Sequence, residues 1–327
     1  LVVLFPTLIL TAAVLGVFSP FDQGLRQLRF AAADRAPSGD VVFVEIDAAS
    51  LAALGVWPWP RTVHARLLDQ LMTLGADEVV FDVDFSAAST EEADAAFEIA
   101  LREAGGYAWL AAFQQRAQDG TLVLNQPLPR FAAEALPVLV NVDGDGTGLL
   151  HSVPAALDEP PIPSVARVLV PGAAATGPSI IIDFGIDLAA VPRVAAVAVL
   201  EDTVDPALIA GRKVVIGASA VELRDFFRVP RFGVIPGPMV QIAATETLMA
   251  DRALVEAGAK PLVVLTVLAA LLFVAFARRV PLPVLFAGTA VGMILLELAA
   301  WLALREWRLL FDTAGLHVLG GVLVVFS

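Results

Sequence analysis

Three aspartates stand where short apolar runs stop. Asp47 follows the run at 41–46, and Asp82 and Asp84 belong to the segment FDVDFS at 81–86. Carboxylates gathered at strand ends supply the oxygen ligands that hard cations such as Mg²⁺ or Ca²⁺ prefer. No ligand loop of metal-binding spacing accompanies them, so no metal is assigned. Trp57, Pro58, Trp59, Pro60 and Arg61 follow Asp47. Two prolines forbid helix there, and the indoles add large, stiff surface. If the runs are strands of a parallel sheet, one sheet edge collects Asp47, Asp82, Asp84, Ser86 and Ser219, with Trp57, Trp59 and Arg61 above them, and ligands of open α/β sheets bind at that edge. The same residues also fit a purely structural reading. In that reading Asp47 and Asp82 accept backbone N–H groups, Arg61 pairs with one of them, and the tryptophans cap the core.

The elements that must position these residues are legible from periodicity. The β-branched and aromatic run at 41–46 has the pattern of a strand buried on both faces. Leu67, Leu68, Leu71 and Leu74 recur at helical spacing and stop at Gly75, which predicts a helix of about three turns opening near Arg61. A second strand at 79–81 and a helix capped by Ser89 or Thr90 and buried through Phe97, Ala100 and Leu101 follow, then a third strand at 107–113. Strand, helix, strand, helix, strand with short connections predicts an α/β fold with a mostly parallel sheet. Residues 119–178 are rich in Pro, Gly and Ala and predict added strands and loops, with a helix at 164–169. Residues 180–184 and 212–217 read as strands, and residues 240–249 as a helix.

With 58% hydrophobic residues, the chain is too apolar for an ordinary soluble protein of this length. The excess is concentrated in residues 1–19, 261–277, 281–304 and 309–327. The first two carry no charge, the third carries Glu297, and the fourth carries Asp312. Each run approaches the roughly 20 apolar residues that cross a bilayer as a helix. The expectation is four transmembrane helices around an extracytoplasmic domain at 20–260. The first run lacks a basic start and is read as an anchor, not a cleaved leader. A chain that lacks an initiating Met and ends in an apolar run reads as a piece of a longer protein. Residues 20–260 hold 17 of the 21 basic and 31 of the 34 acidic side chains, a net charge of −14. That surface repels nucleic acid and anionic headgroups, and leaves cations, neutral and basic ligands as partners. The absence of cysteine removes disulfides, thiolate metal sites and thiol catalysis.

A set of motifs in order carries a resemblance. Ile46-Asp47 is followed by Ser50, Gly55, WPWPR at 57–61 and Leu67-Leu68. Then come FDVDF at 81–85, Asp94, DGDG at 143–146, KVVIGASA at 213–220, Asp225 ahead of Pro230, and Pro236-Gly237 before a helix. The combination resembles the second type of CHASE domain, an extracytoplasmic sensory domain of bacterial membrane receptors, over nearly the whole chain. The candidate ligand-binding residues are Asp47, Trp57, Trp59, Arg61, Asp82, Asp84, Ser219 and Asp225, read from the sheet edge and lying within or beside the matching motifs, and the resemblance implies an extracytoplasmic ligand without naming it. The family often has an arginine where this chain reads GLLHSVP, and a histidine where it has Gln241. By the same resemblance a cytoplasmic effector follows residue 327. A class III adenylate or guanylate cyclase needing Mg²⁺ or Mn²⁺ comes first, and a Ser/Thr or histidine kinase second. Such a cyclase works as a dimer, so a homodimer in the inner membrane lipid is expected, with the domain periplasmic. The charges flanking the spans point the other way. Arg278 and Arg279 would lie inside, against Arg26, Arg29, Arg35, Arg252, Lys260, Arg305 and Arg308 outside.

Two further functions compete with the receptor reading. FDVDFS resembles the Asp-x-Asp-x-Thr/Ser motif of haloacid-dehalogenase-type phosphatases, which would make Asp82 a nucleophile and Asp84 an acid/base, but the later Lys and acidic pair of that family have no counterpart. An acidic docking surface for a protein partner is the other. No GxSxG, P-loop or HExxH is present, and His64, His151 and His317 are far apart in sequence. These residues assign no catalytic site and no cofactor to this region. Glu297 lies about seven residues, on the order of 10 Å, inside the third apolar run, where its charge is costly. It is the candidate coupling residue between spans, unless it snorkels to water.

Overall fold

The computed structural model describes residues 4–144, 148–173, 177–276 and 279–325. Residues 145 and 146 of the DGDG segment, Arg278, and both ends of the chain lie outside the described residues. The chain forms two units, one comprising Arg35–Ala253 and the other Leu1–Asp34 with Leu254–Ser327. The first helices, α1 (Leu4–Val14) and α2 (Ser19–Ala32), belong to the second unit.

In the first unit the aliphatic runs pair into a sheet with strands β1 (Val41–Ile46), β2 (Glu78–Asp82), β3 (Ala108–Arg116), β4 (Leu122–Asn125), β5 (Leu136–Leu139), β6 (Arg193–Ala195) and β7 (Lys213–Ala218). The order is β6-β1-β7-β2-β3-β4, with β5 also paired to β3. Every pairing is parallel except β3 with β4. The late strand β7 runs between β1 and β2, with Ile46 opposite Ala218 and Gly217 opposite Asp82. The carboxyl ends of β1, β7 and β2 therefore meet at one edge. Val41, Val42, Phe43 and Val44 are all fully buried, as a strand covered on both faces requires.

Helices cover both faces of this sheet. Asp47 caps α3 (Ala48–Leu54), and Pro60 precedes α4 (Arg61–Thr73). The sequence predicts a helix-free turn at 57–60 and assigns no helix between Asp47 and that turn. The Asp47 carboxylate instead starts a short helix by accepting the Ser50 N–H, which an Ala-rich run then propagates. α5 (Glu91–Glu103) is capped by Thr90 and carries Glu91, Glu92 and Asp94 in its first turn, where the helix dipole favours them. α4 and α5 bury Leu67, Leu68, Leu71, Phe97 and Leu101 with Val42, Val44, Phe81, Val214 and Ile216 of the sheet. Val41, Phe43 and Val215 point to the opposite face, where α6 (Gly237–Met249) packs on β1 and β7. α6 is buried from Gly237 to Leu248. Its polar residues stay bonded, Thr245 and Thr247 to carbonyls one turn back and Gln241 through its amide N–H to Val140 O. The middle third supplies a small antiparallel sheet of Asp143–Gly144, Leu150–Pro154 and Ser179–Ile181, and a short helix at Val165–Leu169.

The second unit holds α1, α2, α7 (Ala259–Phe276), α8 (Leu282–Trp307) and α9 (Ala314–Val325). Among the described residues two helices, not four, are long and apolar enough to cross a membrane: α7 with 18 residues and α8 with 26. α1 has 11 residues and ends in a turn at 15–18, where Gly16 takes φ +74°. The last apolar run is divided. Leu309–Leu310 pairs in parallel with Val255–Glu256, and the 12-residue helix begins only at Ala314, after Asp312 and Thr313. At 1.5 Å per residue the described parts of these two helices extend about 17–18 Å. Apolar length in a sequence does not exclude a turn inside it.

Candidate functional site

The carboxyl edge of the sheet is built by three segments that follow β1, β2 and β7. After β1, Trp59 is buried and its indole N–H donates to Gly55 O at 3.2 Å. Trp57 stands edge-on to it, ring centroids 5.2 Å apart. Both rings border His64, which is fully buried in a cage completed by Phe81, Phe85 and Phe97. Neither imidazole nitrogen has a hydrogen-bond partner. Burial, and then the nearby Arg61 charge, lower its pKa from the usual 6.5 to about 3, so the ring is neutral.

Arg61 is buried and stacks its guanidinium 4.6 Å from the Phe85 ring centroid. Its Nη2 donates to the carbonyl oxygens of Asp84 and Ala87 at 3.4 and 3.2 Å. Buried Asp94 accepts the Ser89 N–H and adds electrostatic attraction to Arg61. The two side chains thus hold the loop 84–89 against the core. Asp84 is exposed, and its carboxylate accepts the N–H of Ser86 in its own turn.

After β7, Ser219 bonds to Glu45, which Arg193 approaches at 3.6 Å. The turn 221–223 then leads through Arg224, at φ +56°, to Asp225. The Asp225 carboxylate lies over Gly237 at the start of α6, and a Cβ at Gly237 would overlap it. A Cβ at Gly217 would likewise overlap Pro238, with Asp82 beside it. These glycines let α6, Asp225 and Asp82 approach closely. Burial, and then Asp225, push the Asp82 carboxyl well above its ordinary value, and burial raises Asp225. The geometry brings Asp82 and Asp225 together and Trp57, Trp59 and Arg61 together. Asp47 is engaged as a helix cap, Asp84 in its own turn, and Ser219 with Glu45. Among the described residues no group of three His, Asp or Glu side chains could hold a metal ion.

The same edge carries a groove of about 450 Å³ lined by Leu51, Gly55, Val56, Trp57, Glu222 and Leu223.

Of two polar clusters, only the second had a signal in the sequence, the charge of Glu297 in an apolar run. In the first unit Asp183 is buried and its Oδ2 accepts from Arg35 Nη1 and Arg252 Nε, both at 2.9 Å. Nearby, Glu246 accepts the Ser38 N–H and hydroxyl at 2.7 and 2.9 Å. In the second unit Glu297 takes two hydrogen bonds from Arg29, at 2.9 Å each, one from the Thr313 hydroxyl at 2.5 Å, and contacts His317 Nε2 at 2.7 Å. Arg29 also donates to Phe311 O and Thr313. Glu297 is therefore bonded across three helices and does not snorkel alone. Asp22 of α2 accepts the N–H groups of Thr313 and Ala314, capping α9.

The chain is thus a mostly parallel α/β domain with polar groups gathered at its strand ends, joined in sequence to apolar helices at both ends, two of them long enough to cross a membrane. The chain matches the CHASE2 domain family over residues 7–276 and belongs to it. CHASE2 is an extracellular sensory domain of receptors. No curated protein and no solved structure matches the chain.

Proposed function

We propose that the chain is the sensory input region of a multi-pass receptor of the bacterial inner membrane, with the unit Arg35–Ala253 in the periplasm. The observation that carries this reading is the fastening of the domain's two ends. Where the chain arrives from α2, Arg35 shares Asp183 with Arg252, and Ser38 donates to Glu246, both Glu246 and Arg252 lying where the chain leaves toward α7. A change at the sheet edge that moves α6 then moves both connections together. A ligand shifts such a receptor only by binding its two states with different affinity. The effector is a class III adenylate or guanylate cyclase with Mg²⁺ or Mn²⁺ in its own domain, and the receptor works as a homodimer; a protein kinase is the second effector class. Among the edge residues, Trp57 is the ligand-facing one, and Asp82 and Asp225 are packed against the start of α6. Trp59, Arg61, Asp47 and Ser219 hold the frame.

The test uses full-length protein in membranes. Excising residues 35–253 and bridging the helical unit with a Gly/Ser linker should change cyclic-nucleotide output severalfold. Unaltered output, with the shortened protein present at equal amount, would reject sensing.

A further inference from the structure

Resting on the receptor reading above, we propose that the groove between the end of α3 and the turn 221–223 binds a small organic ammonium ion with a flat apolar body. Its walls are Leu51, Val56 and Leu223, its aromatic surface is Trp57, and its charged group is Glu222. No basic side chain lines it. Val56 on its lining is 92% exposed, so an occupant would cover apolar surface that water now meets. A volume of about 450 Å³ is in the range of small-molecule sites. The charge of the occupant follows from three features. An indole face attracts cations through its quadrupole. A carboxylate on the rim pairs with an ammonium group. The surplus of 14 negative charges over residues 20–260 raises the local concentration of cations and repels anions.

The groove also has a physical connection to the rest of the domain. Trp57 touches Trp59 and His64 on its inner side, so a body stacked on it loads the aromatic cage under α4. Leu223 lies two residues before Asp225, which sits against the first residue of α6. Occupancy therefore bears on both the cage and the start of the helix that leads out of the domain.

Equilibrium dialysis of radiolabelled phenethylammonium against the full chain in detergent tests this, with phenylacetate and 2-phenylethanol as anionic and neutral isosteres. Saturable uptake of the ammonium ion alone is expected. Glu222→Gln should weaken it about two- to fivefold, and Val56→Arg, at a fully exposed position, by at least as much. Absence of saturable binding up to millimolar ligand, or affinity unchanged in both variants, overturns the site. If binding fails while excision of residues 35–253 still alters output, the groove is wrong and the receptor reading stands. If phenethylammonium binds and both variants lose it while excision leaves output unmoved, the groove is supported and the receptor reading falls.

Discussion

His64 shows how far one residue's surroundings can set its chemistry. An imidazole surrounded by Trp57, Trp59, Phe81, Phe85 and Phe97, with no partner on either nitrogen, resists protonation. Between the ordinary value of 6.5 and its folded value of about 3, the unfolded chain takes up a proton that the folded chain refuses. Stability is therefore intact above pH 6.5 and falls as pH drops, by about 1.4 kcal/mol per unit once well below 6.5. Asp82 and Asp225 act with the opposite sign. Their raised folded values mean that the folded state keeps protons the unfolded state releases, so their contribution is lost as pH rises through those values. They cannot account for an acid loss. His64→Phe, which suits the cage in shape, should remove the acid slope: from pH 6.5 to 4.5 the wild type should lose about 2 kcal/mol more than the variant. Denaturant unfolding of the full chain at the two pH values, followed by tryptophan fluorescence, measures this. Equal losses would show that the imidazole is not held neutral.

At the scale of elements, α2, α8 and α9 are joined by ions rather than by apolar packing alone. Arg29 is 4% exposed, and Glu297 supplies its charge partner. Removing one member of a buried pair leaves the other uncompensated, at about 3–5 kcal/mol, whereas replacing both by apolar residues is often neutral. Glu297→Gln should therefore lower the melting temperature of the protein in detergent sharply, and Arg29→Met with Glu297→Leu should recover most of the loss. A double variant as damaged as the single one would mean that the residues act independently. The sequence showed Glu297 as a costly charge in an apolar run, but not its partners. Arg29 is 268 positions away and His317 looked like a lone histidine in a span, and no local pattern pairs residues so distant. The strands, α4 and α5 were legible because burial imposes a period on each. α3 was not, since Ala-rich residues ahead of two prolines read equally as loop. The turn after α1 and the non-helical stretch before α9 were not foreseen for a related reason, because hydropathy reports what a segment can be buried in and not where its backbone turns. At the candidate site, the residue types at the sheet edge were readable, but their pairing depended on the insertion of β7 between β1 and β2, which is a matter of topology.

For the molecule as a whole, what matters is how the domain hands its state to the two chain segments that leave it. Asp183 is fully buried and holds Arg35 and Arg252 on one oxygen, while its other oxygen accepts the Gly185 N–H. The carboxylate is the shared anion of two arginines that lie more than 200 residues apart in the chain, and Thr247 of α6 ties to its backbone through the hydroxyl. Asp183→Asn keeps the shape and removes the charge, so both guanidinium groups lose their common counter-ion. The expected cost is about 3 kcal/mol or more. A uniform loss of stability would say little about coupling, so the informative quantity is local. The chain has no cysteine, and Ala36 and Ala250 are exposed on the two connecting segments. Spin labels placed through Ala36→Cys and Ala250→Cys should give a narrow distance distribution by pulsed electron resonance in the wild-type background and a broad one with Asp183→Asn. The domain core should stay folded, reported by unchanged fluorescence of the buried Trp59. Equally narrow distributions would mean that the connections are fixed by packing, and that Asp183 neutralises the arginines without fastening the domain's two ends to each other.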